Sequence, residues 1–219
     1  MRIKQYLNDE TRFIKDKVVT DETLINIIKK KCLPFLKENK GGKLLWRGSR
    51  WDIENIKILT PRQNRLPMDT PERIHNFVDD IFKKKYGWKA RSEGVFVTSN
   101  RKEAQDYGNI GIFFPIGKFN YLYNNKIRDF TENLKNSGII SFDDIDAAAY
   151  KEFWKSPPDE DELKEINQLR DNLINTIRSY EKTNLSKASR SDIEIIFKCE
   201  HYYLIRPKKT LFTKLQDLL

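Results

Sequence analysis

A chain of 219 residues with 38% hydrophobic and 12% aromatic content holds enough apolar material for one packed domain, so disorder is excluded despite 33% charged residues. A formal net charge of +9 fits either a generally basic surface or attraction to nucleic acid, an anionic protein or an anionic cofactor, and charge alone does not choose between them. The longest apolar runs, such as Ile110–Ile116, are too short to span a bilayer, and Met1–Arg2–Ile3–Lys4 opens a polar stretch unlike a signal peptide. A soluble, cytoplasmic protein with no membrane partner is therefore expected.

The first 42 residues read as a helical segment. Asp21 is placed to cap a helix whose apolar residues Leu24, Ile27, Ile28 and Cys32 recur at helical spacing, and Lys40–Gly41–Gly42 ends it. Lys43–Gly48 contains an apolar run suited to a buried strand. Residues 49–70 are polar and irregular, with Pro61 and Pro67. Thr70–Pro71 predicts a helix start, Ile74, Phe77, Val78, Ile81 and Phe82 an apolar face, and Gly87 the end. Gly94–Val97 reads as a second strand, Arg101–Tyr107 as a short helix stopped by Gly108, and Ile110–Ile116 and Phe119–Tyr123 as two strands turning at Gly117. A mostly helical insert follows over about 124–180. Its surest element is Asp159–Tyr180, with Leu163, Ile166, Leu169, Leu173, Ile177 and Tyr180 along one side. Thr183–Ser191 reads as a polar loop, Ile193–Lys198 and His201–Ile205 as strands, and 207–219 as a tail. Short strands with irregular connections predict an α+β fold, not a doubly wound sheet. Gly41–Gly42–Lys43 and Gly108–Gly117 fit neither a P-loop nor a dinucleotide fingerprint.

Cys32 and Cys199 are expected as buried reduced thiols, although a disulfide stays open, and isolated His75 and His201 give no zinc-ligand spacing, so no metal is expected.

Three segments carry candidate chemistry. Arg47, at the end of a buried strand, offers a fixed fork of donors for a pyrophosphate, and Gly48 would let a ligand approach the backbone. Against that, 41 residues are Lys or Arg, so one Arg–Gly pair means little by itself. Thr98–Ser99–Asn100, with Phe96 before and Ala104 and Tyr107 after, places hydroxyls that would orient a carboxylate or touch a ribose. A plain helix cap is the simpler reading. Asp192 and Glu194 open a late strand, where period-two geometry sets both on one side. Such a pair would hold a ribose hydroxyl and stabilise a cationic sugar transition state, or else decorate a solvated edge.

In this order the three segments resemble the Arg–Ser–Glu branch of the mono-ADP-ribosyltransferases, as in bacterial toxins and phages. In that family an arginine, often followed by glycine, lies on the first core strand. A Ser–Thr–Ser-like motif lies on the second, and a Glu/Gln–x–Glu motif opens a late strand. Arg47–Gly48, Thr98–Ser99–Asn100 and Asp192–Ile193–Glu194 stand in those places. The runs Leu45–Gly48 and Gly87–Phe96 are similar to phage transferases of the T-even type. The likeness covers roughly residues 43–206 and implies a split β-sheet core carrying the helical insert.

It also implies NAD as co-substrate, with Arg47 on its phosphates, Gly48, Phe96, Thr98 and Ser99 lining its site, and Glu194 at the nicotinamide ribose. Thr98, or Ser99 if the register slips by one, would position Glu194, and Asp192 would face the acceptor. Aspartate at 192, where the family carries Glu or Gln, leaves the acceptor open: a host protein or a nucleic acid. Two other outcomes stay open. One is an NAD glycohydrolase. The other is a catalytically silent nucleic-acid-binding or virion protein, to which the net charge and Trp51, Trp88 and Trp154 would contribute.

Overall fold

A computed structural model describes residues 20–50, 52, 53, 55–66 and 70–219. Trp51, Pro67 and the Met1–Lys4 segment lie outside the described residues. The chain opens with α1 (Asp21–Lys31) and α2 (Leu33–Glu38), followed by strands β1 (Leu45–Ser49) and β2 (Ile56–Leu59). Helices α3 (Glu72–Tyr86) and α4 (Ala90–Glu93) lead to β3 (Val95–Val97), α5 (Arg101–Asp106) and the long strand β4 (Asn109–Tyr123). Helices α6 (Phe130–Asn136), α7 (Ala147–Trp154), α8 (Glu160–Arg178) and α9 (Leu185–Ala188) precede β5 (Ile195–Ile205), and α10 (Lys209–Gln216) comes last. This is an α+β fold around an antiparallel five-stranded sheet.

The order β1-β4-β5-β2 leaves β3 on the same edge of β5 as β2. β2 pairs with the C-terminal half of β5 and β3 with its first residues, Val95 opposite Phe197 and Val97 opposite Ile195. The next residue after β3 turns back to β1. The Trp46 amide donates to the Thr98 carbonyl at 2.7 Å, and the Thr98 amide to the Trp46 carbonyl at 3.0 Å. β1, β4, β5 and β3 therefore form a closed circuit of backbone pairing.

Two apolar cores flank these strands. In one, helices α1, α2, α9 and α10 pack Ile28, Phe35, Leu185 and Leu215 against the aromatic residues of β4 and β5. Phe197 is its hub, with ring centroids 4.9 Å from Phe113, 5.6 Å from Phe119 and 6.1 Å from Phe35. In the other, α3, α6 and α8 cover Leu122 and Ile196 with Val78, Phe82, Phe130 and Ile177. Cys32 and Cys199 are both buried free thiols. No described helix is long and apolar enough to cross a membrane.

Several boundaries differ from the sequence reading. Residues 49–70 contain β2, a half-buried strand of four residues whose partner β5 is remote in sequence. Ile110–Ile116 and Phe119–Tyr123 belong to one strand. Gly117, at φ +70°, sits in a bulge where three steps along β4 match two along β5, so pairing continues past it. The last two predicted strands likewise merge into β5, and the expected loop 183–191 holds α9, capped by Asn184. Thr20 rather than Asp21 caps α1, and α3 begins after Pro71 without a side-chain cap. The predicted helix from Asp159 starts with a complete capping box between Asp159 and Glu162.

Because α2 shares its core with β4 and β5, Phe35→Ala is expected to cost about 3–5 kcal/mol, as much as a deletion within the sheet. Urea unfolding followed by tryptophan fluorescence and by circular dichroism should show one coincident, earlier transition. A separate early transition would mean that the N-terminal helices unfold alone.

Candidate functional site

Arg47 is the central residue of β1, not its end as the sequence suggested, and follows the Trp46–Thr98 pair directly. Its Nη1 donates to the Phe96 carbonyl at 3.0 Å, and its guanidinium lies 5.7 Å from the Tyr202 ring centroid. Trp46 spends its amide and carbonyl on Thr98. The antiparallel alternation therefore turns those of Gly48 to the same edge, away from β4. The missing side chain at Gly48 serves packing. A Cβ there would collide with the Ala104 carbonyl and Tyr107 of the following turn, so glycine lets α5 lie against β1. In that turn Ala104 is buried but Tyr107 is exposed, its hydroxyl donating to Asp129 at 3.2 Å.

Phe96 sits among cations. The Arg65 guanidinium is 4.4 Å from its ring centroid and that of Arg91 is 4.8 Å, while Arg91 also lies 4.8 Å from the Phe130 ring. Contacts thus alternate cation and ring from Arg65 through Phe96 and Arg91 to Phe130. Arg91 in turn reaches Glu194, Nη1 to Oε1 at 3.4 Å, and donates from Nη2 to Thr131 at 3.4 Å.

The single turn α4 that carries Arg91 is held by another helix. Asp79 of α3, fully buried, accepts from the Arg91 amide at 2.7 Å, the Ser92 amide at 3.0 Å and the Ser92 hydroxyl, supplying an N-terminal cap from outside the helix. His75 Nε2 lies 3.0 Å from the Ser92 hydroxyl and 3.4 Å from Asp79. Serine and aspartate approach the same ring nitrogen, so the trio cannot relay a proton as a nucleophile–base–orienter set does. It anchors α4. Burial holds the His75 pKa below its usual value, against the pull of Asp79.

Glu194 immediately precedes β5, its amide donating to the Arg128 carbonyl at 3.0 Å. The side chain is only 18% exposed. Burial pushes its carboxyl up to about 7; Arg91 opposes that rise and the nearby Asp129 carboxylate adds to it. Asp192 lies in the turn before, at φ +51°, so strand alternation does not govern it and the two carboxylates do not pair. Asp192 instead accepts from the Ser99 hydroxyl at 2.8 Å and faces Lys43 at 3.6 Å, with half of its side chain exposed.

The predicted hydroxyls do hold carboxylates, but not Glu194. Thr98 donates to Glu103 at 3.3 Å and accepts the Asn100 amide at 3.1 Å; Glu103 also pairs with Arg128. Asn100 is the residue that caps α5. Arg47, Phe96 and Glu194 are joined, because the carbonyl of Phe96 takes Arg47 and its ring carries Arg91, the partner of Glu194. Gly48 and Thr98 adjoin this group through the backbone. Ser99 and Asp192 form a separate pair at a more open position.

Sequence reasoning missed Arg65, Arg91, Asp79 and Glu103. Arg65 stood in the 49–70 stretch read as polar and irregular, and Arg91 in a segment quoted only for its likeness. The carboxylate and ring that define them come from elsewhere in the chain, so no local pattern marks them. A cleft of about 470 Å³ between the start of α3 and α7, lined by Pro71, Phe142, Glu152 and Phe153 among others, shares no residue with this group. No family model, no curated protein and no solved structure matches the chain.

A carboxyl raised from 4.5 to about 7 contributes stability that is complete below about pH 4.5 and lost as pH rises through 7. Glu194→Gln is therefore expected to melt above the wild type at pH 8, by at most about 3 kcal/mol, and level with it at pH 5. Calorimetric scans at both values check this; a constant gap would contradict it.

Proposed function

We propose that this protein is a mono-ADP-ribosyltransferase that cleaves NAD and passes ADP-ribose to a host macromolecule. The observation that carries the reading is the junction at Phe96 of the β1 arginine with the partner of a buried glutamate, from segments far apart along the chain. Arginine, backbone and carboxylate are the groups needed to hold a dinucleotide and cleave its glycosidic bond. The α+β architecture, with its closed circuit of strands and a helical insert between β4 and β5, is compatible with the split-sheet core that the resemblance implies.

On this reading Arg47 binds phosphate oxygens, and the edge-facing amide and carbonyl of Gly48 meet the nicotinamide amide. Glu194, ionised, accepts from the ribose 2′-hydroxyl and stabilises the charge that develops at C1 as the C–N bond breaks and nicotinamide leaves with the electron pair. The acceptor then attacks C1 and loses its proton, for which Asp192, half exposed beside Ser99, is placed as the base. Arg91 occupies the positioning role that the family gives to a hydroxyl. That substitution favours a second reading, a silent relative that binds NAD or nucleic acid without turnover.

Incubation with NAD labelled in the adenylate, in the presence of lysate, separates the outcomes: labelled macromolecule supports the transferase, free ADP-ribose a glycohydrolase, and unchanged NAD the silent protein. Nicotinamide release should fall about a hundredfold or more in Glu194→Gln, and kcat/KM of the wild type should rise with pH through about 7 as Glu194 ionises. Near-normal release by Glu194→Gln would remove it from the mechanism.

A further inference from the structure

Arg65 carries a guanidinium that the fold satisfies only in part. Its Nη1 is buried and has no hydrogen-bond partner among the described residues. A buried donor left unpaired is costly, the more so on a charged group, and native chains rarely keep one without a reason. The arginine is held firmly nonetheless. Its amide donates to the Ser92 carbonyl at 3.2 Å, and its guanidinium lies 4.4 Å from the Phe96 ring centroid. The strongest charges acting on it are mostly of its own sign: Arg47, Arg91 and Arg62, opposed by the carboxylate of Glu194. Burial, and then the Arg47 guanidinium, draw its pKa down to about 10, so it remains a cation at neutral pH. A fixed, half-buried cation among like charges is suited to hold an anion.

We infer that Arg65 is a second phosphate-binding residue, and that Arg47 and Arg65 together take an anion bearing two adjoining phosphoryl groups. The two guanidiniums reach opposite parts of one residue, Arg47 the carbonyl of Phe96 and Arg65 its ring. A diphosphate can accept from both, satisfies the unpaired Nη1 and offsets the surplus charge. A lone phosphate does so only in part. The inference rests on the transferase reading for the identity of the natural ligand, but not for the binding itself.

Titration calorimetry of the full chain with inorganic pyrophosphate, inorganic phosphate and ADP-ribose tests it, with Arg65→Gln and Arg65→Lys beside the wild type. Pyrophosphate and ADP-ribose should bind at least about tenfold more tightly than phosphate. Arg65→Gln should lose about tenfold or more for both diphosphates, and Arg65→Lys should recover part of it. The ligand-free melting temperature of Arg65→Gln should stay level or rise, because an unrequited charge is removed. A merely structural contact with Phe96 predicts the reverse: a lower melting temperature and unchanged pyrophosphate affinity, which would overturn the assignment. Arg65-dependent pyrophosphate binding without NAD turnover would retain this inference and remove the transferase. NAD turnover indifferent to Arg65 in KM would do the opposite.

Discussion

Two backbone hydrogen bonds between Trp46 and Thr98 decide where Arg47, Phe96 and the charged groups around them meet. β1 and β3 are separated along the sheet by β4 and β5, and without that pair they would sit at its two ends. The bridge draws Thr98, the residue after β3, against Trp46 within β1. Arg47 then emerges beside the Phe96 carbonyl. Each later contact, from Arg91 on the Phe96 ring to Glu194 on Arg91, depends on that closure. The helices fill the remaining space around a circuit of strands whose joint is only one residue pair wide.

The charged groups at the joint are mostly removed from water and only partly compensated. Among the described residues, Glu194 has one cation in direct contact, while Arg65 has a ring and no acceptor at Nη1. Burying a group in this condition opposes folding, and the two packed cores must supply the difference. Asp79 shows the contrast. It is more deeply buried, but three donors of α4 and the edge of His75 surround it, so it organises structure.

Elements whose signals are local were legible in the sequence. Asp159 and Glu162 announce α8 through their reciprocal cap, Gly87 ends α3 in the left-handed conformation, and the apolar runs of β1 and β3 fall where the pattern put them. What depends on distant pairing was not. β2 is four residues long and is defined only by β5, and the bulge at Gly117 looks like a turn until β5 is known to run past it. The candidate site divides in the same way. Arg47 in β1 and Glu194 just before β5 were singled out by their strand context, whereas Arg65 and Arg91 are ordinary basic residues until Phe96 is placed between them. Thr98 was found for the wrong contact, since its hydroxyl serves Glu103 while its backbone makes the joint.

Residue 192 carries a consequence for sequence variation. At φ +51° the backbone favours asparagine, aspartate or glycine, because a short polar side chain tolerates the left-handed conformation and a longer or branched one does not. The one-methylene difference from the glutamate or glutamine of the resembling family is thus tied to the shape of this turn. Homologues that keep the turn should draw on that small alphabet at 192, and those with a longer carboxylate should enter β5 along a different path. Chemical preference for the attacked group and local geometry would then be inherited together, as one trait.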